Sequence, residues 1–280
     1  MSRTILADSS ANLSKGYTSK SGAGFATVPL TIRVGDEEFI DDQNLDVNRM
    51  IRAFRDFDGA ARTACPSPEA WAQAFRNGGD EIIAVTMTGK LSGTYNSAML
   101  ARQMVLEESP EKKIHVVNSN STGGPEELIV RKIDELFGEG KDFDEIVEEV
   151  EAYNKTLGVV FTLKNFDNLI KNGRMNKIVG TVASKLKIHV VGDGSPEGEL
   201  RVLYKPRGET KAYAKMVEEM EKKKDMTDAE VIISHTNNET SAKAIAALIE
   251  KKYPIKSIEI KENGGLNSFY AEDEGIIIGF

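Results

Sequence analysis

The feature that most constrains this chain is the stretch Gly79–Ala98, GDEIIAVTMTGKLSGTYNSA. Glu81–Met87 is apolar and rich in β-branched residues, short enough for a buried strand. Thr88–Gly93 is a tight polar loop. From Thr94 a helical pattern resumes, with Tyr95, Ala98 and Ala101/Arg102 on one side. Strand, loop and helix in that order put Ser92 and Gly93 at the carboxyl end of a strand and the amino end of a helix. Ligands bind at that edge of an open α/β sheet. Unpaired backbone N–H groups and the helix dipole favour an anion there. A serine hydroxyl beside a bare glycine amide suits a carboxylate or a phosphate. An ordinary Ser/Thr N-cap meets the same spacing, so the stretch alone leaves both readings open.

The rest of the first half repeats the unit. Arg3–Ala7 reads as a strand ending in Asp8-Ser9-Ser10, and Lys113–Val117 as a strand ending in Asn118-Ser119-Asn120-Ser121-Thr122. Phe25–Val34 and Glu37–Ile40 bracket Gly35-Asp36, a hairpin turn. Helices are expected from Asp46 to about Phe57, from Ser67-Pro68 to Gly78, from Pro125 to about Phe137, and after Asp142. Pro66 and Pro68 keep the residues before them out of the α region. Thr63 therefore stands in an extended segment just before a capped helix, its hydroxyl available to a neighbour or to a local turn. Strands alternating with helices imply a mostly parallel sheet with a polar rim.

The rhythm changes near Tyr153–Leu157. Leu157–Thr162 and Lys187–Val191 read as strands, with a short helix over Lys164–Lys171 and another from Arg174 to about Leu186. Gly192–Glu199 is a turn that folds Leu200–Tyr204 back as an antiparallel hairpin. Helices over about Thr210–Lys224 and Thr240–Lys252 alternate with strands Glu230–Ser234 and Ser257–Ile260. Glu262–Asp273 reads as a polar loop, and Ile276–Phe280 as a last apolar strand. The expected fold is α/β in two domains. Residues 1–155 form a mostly parallel sheet with flanking helices, and 156–280 a mixed sheet with helices.

Composition narrows the function. Lys and Arg number 36 against 44 Asp and Glu, a net charge of −8, which argues against a nucleic-acid surface. No apolar run approaches membrane-spanning length, so stable membrane insertion is not expected. The opening MSRTILADSS has no apolar signal core, and the single cysteine, Cys65, forms no internal disulfide. These features predict a cytoplasmic protein. The three histidines, His115, His189 and His235, lack metal-ligand spacing, so no metal site is expected; His235 shares the polar rim of strand ends. Lys90–Thr94 is neither a nucleophile elbow nor a phosphate-binding loop.

Seven segments together resemble the DegV family of bacterial fatty-acid-binding proteins. They are Ile5–Ser14, Val28–Asp42, Thr63–Trp71, Gly79–Ala98, Val116–Gly124, Asn168–Lys177 and the final EGIIIGF, and they span essentially the whole chain. The resemblance implies a long apolar tunnel holding a fatty acid, with no other cofactor. The carboxylate would lie at the domain junction, held by Thr63, Ser92 and the Gly93 amide, with Ser9, Ser119, Ser121, Arg174 and His235 as candidate rim residues. It implies a binding protein rather than an enzyme, a candidate partner for the ATP-binding subunit of a fatty acid kinase. The alternative is a subunit or enzyme acting on another small anionic substrate at the Ser92 loop, including an esterase using Ser92 or Cys65. The chain departs from kinase-type members before its last strand. Gly264–Gly275 has no histidine and no Gly-Pro-Gly, and it adds Glu272, Asp273 and Glu274, three acids expected to repel a phosphate. Lys205 and Arg207 fall where the family has a basic segment, and Asn118 stands where an aspartate is usual.

Overall fold

The computed structural model describes residues 1–13, 16–175 and 188–280. The helix expected from Arg174 to about Leu186 lies mostly outside them. The first sheet is wholly parallel, in the order β2 (Gly24–Val28), β1 (Arg3–Asp8), β6 (Glu81–Thr86), β7 (Lys113–Asn118). Both of its faces are apolar, as a parallel sheet covered on two sides requires. Ile5, Ala7, Ile83, Val85 and Val117 face α4 (Gly124–Gly138) and α5 (Phe143–Asn154). Leu6, Ile82, Ala84 and Val116 face α2 (Pro68–Asn77) and α3 (Thr94–Glu108), where Trp71 and Phe75 fill the layer. Ser67 caps α2 through Ala70 N–H at 3.1 Å, with Pro68 in the first turn.

The second sheet is mixed: β10 (Leu200–Tyr204), β9 (Val190–Gly194), β8 (Val159–Leu163), β13 (Ile276–Gly279), β11 (Glu230–His235), β12 (Ser257–Glu262). Only β11 and β12 run parallel. The last strand thus enters the centre of the sheet. One face, with Val160, Val231, Ile233, Ile276 and Ile278, packs on α7 (Glu209–Lys223) and α8 (Glu239–Lys252). Val159, Phe161, Leu163 and Ile277 point the other way. Helix α4 packs on both sheets and is buried nearly all round. Gly279 permits this approach: a Cβ there would lie 2.5 Å from Pro125 Cδ.

Two expectations change. Phe25–Val34 is not one strand. It breaks at Pro29, which has no N–H for a ladder. Gly24–Val28 joins the parallel sheet, while β3 (Thr31–Val34) pairs with β4 (Glu37–Ile40) and β5 (Arg62–Ala64) in a separate three-stranded antiparallel sheet. This small sheet packs with α1 (Val47–Asp56), which Asp46 caps through Arg49 N–H at 2.9 Å. Nor is Glu262–Asp273 a polar loop. It holds the end of β12 and a buried helix, α9 (Gly265–Ala271), whose Leu266 and Phe269 are core residues. A short helix, α6 (Asp167–Lys171), packs beside it.

Candidate functional site

The polar rim begins with a buried carboxyl. Asp8, at the end of β1, accepts Met87 N–H at 2.9 Å and Ser10 N–H at 3.0 Å, which ties the start of the Thr88–Gly93 loop to the neighbouring strand end. Ser10 Oγ lies 2.5 Å from Asp8 Oδ1 and 2.6 Å from Glu126 Oε1. A hydroxyl has one proton, so it serves one of the two carboxyls. Burial, reinforced by the charge of Asp8, raises Glu126 well above the usual carboxylate range, which favours a proton on this pair for the other bond. Asn118 Oδ1 accepts Gly89 N–H at 3.2 Å and Asn120 N–H at 3.3 Å. An amide oxygen here does what an aspartate would.

The loop then closes on itself. Leu91 and Ser92 donate their N–H groups to Thr88 O, and Thr94 N–H donates to Ser92 Oγ at 3.3 Å. Gly93 is the N-cap of α3. Among the described residues its N–H has no acceptor, as expected at a helix start. A Cβ at Gly93 would lie 3.3 Å from Cys65 Sγ. Thr88 Oγ1 donates to Gly198 O at 3.0 Å. Gly198 turns at φ +88, and a side chain there would collide with Thr88 Oγ1 at 2.1 Å, so this hairpin turn needs glycine.

Ser92, Gly93, Thr63 and Cys65 line one cavity, which encloses about 960 Å³ together with its mouth. Its apolar floor is the free face of the second sheet: Val159, Phe161, Leu163, Ile277 and Leu200. Leu30, Met87 and Leu91 come from the first half of the chain, and Leu169, Leu266 and Ala271 complete the wall. Thr63 sits on β5 opposite Ile32, and its Oγ1 lies 2.7 Å from the hydroxyl of Tyr270 on α9. Arg174 Nε donates to Leu91 O at 3.1 Å. A second, more open cleft shares Leu91, Ser92, Gly93, Arg174 and Leu200 with the cavity and adds Lys90 and Asn96.

Of the rim candidates, the structure brings Ser121 and Arg174 to the cavity and leaves the other three outside it. Ser121 Oγ is buried and has no partner among the described residues. Ser9 is a correction: it is fully buried behind the wall, where its Oγ accepts Leu30 N–H at 3.1 Å. Ser119 is another, since its Oγ closes a turn with the Ser121 backbone at 3.1 Å. His235 is the third. It faces a separate cleft with Asp46, Asn48 and Glu262, and its Nδ1 accepts Asn238 N–H at 3.3 Å. His235 lies apart because β11 belongs to the second sheet, so its end is not part of the first sheet's rim, whereas Ser9 and Ser119 sit on that rim with their hydroxyls already engaged by backbone. Lys205 and Arg207 are exposed and do not line the cavity.

The three added acids are likewise turned away. Glu274 pairs with Lys164, Asp273 lies 3.0 Å from Arg55, and Glu272 accepts Asn168 N–H at 2.9 Å. None lines the cavity, so the repulsion expected of them is not directed into it. No described histidine lines it, and no described cluster has the makings of a metal site. His115 pairs with Glu151 at 2.8 Å on the surface of the first sheet. Residue-level reasoning missed Tyr270, Asn267 and Leu266 because it gave their stretch no helix. The signal was present in the i, i+3, i+4 spacing of Leu266, Phe269 and Tyr270.

Fold and site define the class: an α/β protein of two main sheets and a small third one, whose apolar cavity is also lined by hydroxyls, a helix-start amide and Arg174. The family model described as "Uncharacterised protein, DegV family" matches residues 2–278. A DegV domain-containing protein of Streptococcus gordonii is 41% identical over 256 residues, 91% of this chain and 90% of the relative. The Streptococcus pneumoniae fatty acid kinase (Fak) B3 protein, solved loaded with linoleic acid, superposes with a TM-score of 0.96 at 38% identity, covering 100% of this chain and 99% of that one. A DegV family protein of Eubacterium eligens, loaded with heptadecanoic acid, gives a TM-score of 0.93 at 37% identity over 99% of both chains. The chain belongs to the DegV family. Among the described residues no helix is long and apolar enough to cross a membrane.

Proposed function

We propose that this protein binds a long-chain fatty acid without transforming it, the tail in the cavity and the carboxylate at Thr63, Ser92 and the Gly93 amide. The observation that carries the reading is the composition of the wall: an apolar sheet face together with two hydroxyls and an unpaired helix-start N–H. Hydroxyl and amide donors suit a carboxylate, and Arg174, which lines the same cavity and the open cleft beside it, adds a solvent-accessible positive charge. The tail supplies the affinity. Each buried CH₂ contributes ~0.8 kcal/mol, so a sixteen-carbon chain brings on the order of 10 kcal/mol before ordering costs. The head group's part is orientation. Relatives of the same fold, 37–38% identical, carry linoleic and heptadecanoic acid.

The reading extends to a partner. The open cleft beside the cavity exposes Ser92, Gly93 and Arg174 to solvent, so a bound carboxylate is approachable from outside. That arrangement suits presentation of the acid to a separate ATP-using kinase subunit, and a structural neighbour is named as a fatty acid kinase B3 protein. The alternative, a small anionic substrate acted on at the Ser92 loop, leaves the apolar sheet face without a task. An esterase lacks a base: no described histidine lines the cavity with Ser92 or Cys65. The test is to denature the purified protein, extract it with organic solvent and weigh the extract by mass spectrometry. A stoichiometric fatty acid is expected. An extract without one, from a protein that takes up no added fatty acid, would overturn the reading.

A further inference from the structure

Tyr270 and Thr63 meet through their hydroxyls at 2.7 Å, and both line the cavity. Each hydroxyl owns one proton, and the bond between them uses one. The other is left for a third group. The phenol is the stronger acid and so the better donor; Thr63 then accepts from Tyr270 and turns its own proton elsewhere. Burial keeps the phenol protonated. Its place does not depend on a ligand. The Tyr270 ring stands edge-on to Phe269 at 4.9 Å, Phe269 stands edge-on to Phe54 at 5.5 Å, and the start of α9 is fixed by Asp41.

We propose that Tyr270 is a positioning residue for the ligand's head group: it sets Thr63 as a proton donor and so favours a free carboxylate over an uncharged head group on the same tail. This rests on the fatty-acid reading above. A hydrogen bond to an ionised acceptor is roughly twice as strong as a neutral one. A carboxylate taking the Thr63 proton also polarises the Tyr270–Thr63 bond behind it, and the two strengthen each other. An alcohol or an ester draws much less from the same relay.

The test compares hexadecanoic acid with hexadecan-1-ol on delipidated wild-type protein, Tyr270→Phe, Thr63→Val and the double variant. The carboxyl of [1-¹³C]hexadecanoic acid is followed by NMR against pH. Tyr270→Phe should weaken the acid roughly five- to tenfold and the alcohol by less than about twofold. It should also raise the bound carboxyl's titration midpoint, since a bond to the charged form is weakened. On the Thr63→Val background it should change neither. Equal weakening of acid and alcohol would reduce Tyr270 to packing and overturn the proposal, as would an unchanged acid. If Tyr270→Phe does not fold, Thr63→Val must show the acid-selective loss, and a uniform loss there overturns the relay. A wild-type protein that binds neither probe overturns the fatty-acid reading and Tyr270's role together. A wild-type protein that binds the acid, beside a silent Tyr270→Phe, overturns Tyr270's role alone.

Discussion

Asp41, at the end of the small antiparallel sheet, accepts Gly265 N–H at 2.8 Å and Leu266 N–H at 3.0 Å across 224 and 225 residues of chain. One buried carboxylate thus caps the helix that carries Leu266, Tyr270 and Ala271 to the cavity. Asn12 adds a bond to Gly264 N–H at 2.8 Å. Burial raises the Asp41 carboxyl above its ordinary range, while the two N–H groups oppose that rise. Asp41→Ala should lower stability by about 2–4 kcal/mol, because two buried N–H groups lose their acceptor. Asp41→Asn keeps one acceptor and should cost less. Urea unfolding checks both; an alanine variant within ~0.5 kcal/mol of wild type would show that the cap contributes little.

Ser92→Ala tests the division of labour between tail and head. The variant should still copurify with lipid, since the tail dominates the affinity. It should lose selectivity for the acid over the matching alcohol, and a small increment of helix stability because Thr94 N–H loses its acceptor. Complete loss of bound lipid, in a variant that folds, would show that the head group holds the ligand.

Gly93 makes a steric prediction. Its φ of −76 is ordinary, so a side chain there meets no backbone strain. What it meets is Cys65 Sγ, 3.3 Å from the position a Cβ would take. Gly93→Ala should bind fatty acid more weakly, and Cys65→Ala should restore binding in the double variant by making room. Gly93→Val, which also screens the N–H, should not be rescued. Titration with a fluorescent fatty acid distinguishes these cases. Failure of Cys65→Ala to rescue would place the obstruction at the amide and not at the thiol.

The sequence made the first half legible because its signals are local. Ser67-Pro68, Asp46 and the Gly79–Ala98 unit name their own elements within a few residues, and the structure has each of them in place. What it concealed depends on partners far along the chain. The cap of α9 is Asp41, and the partner of Thr63 is Tyr270, 207 residues away. A stretch such as NGGLNSFYAEDEG, with glycines, asparagines and acids around three large apolar residues, has a loop's composition. Its burial comes from distant partners: the small antiparallel sheet and α1 around Phe269, the second sheet against Ala271, and the Asp41 cap. His235 misled for a related reason: every strand end rich in polar residues looks alike until the strands are assigned to sheets. Pro29 is a local signal as well, and it separates two sheets.

The residue that ends α9 ties the site to pH. Glu272 is buried in left-handed backbone at φ 54, with its Oε1 accepting Asn168 N–H at 2.9 Å, while Asn168 Nδ2 donates to Phe269 O at 2.9 Å. The two residues lock α9, which carries Tyr270, to α6, which carries Leu169. Burial pushes the Glu272 carboxyl up to about 7; Asp167 adds to the rise, and the Asn168 N–H and Lys171 oppose it. A folded value above the unfolded one means the fold prefers the protonated form. The group's stabilising contribution is therefore complete below about pH 4.5 and is lost as pH rises through about 7. Glu272→Gln keeps an oxygen for Asn168 and removes the ionisation. It should melt higher than wild type at pH 8, by at most about 3.5 kcal/mol in stability, and the difference should close below about pH 4.5. Melting curves across that range decide the matter: a gap of constant size would trace to packing, whereas a gap that opens between about pH 4.5 and 8 traces to the Glu272 proton and makes the α6–α9 lock weaker in alkaline solution.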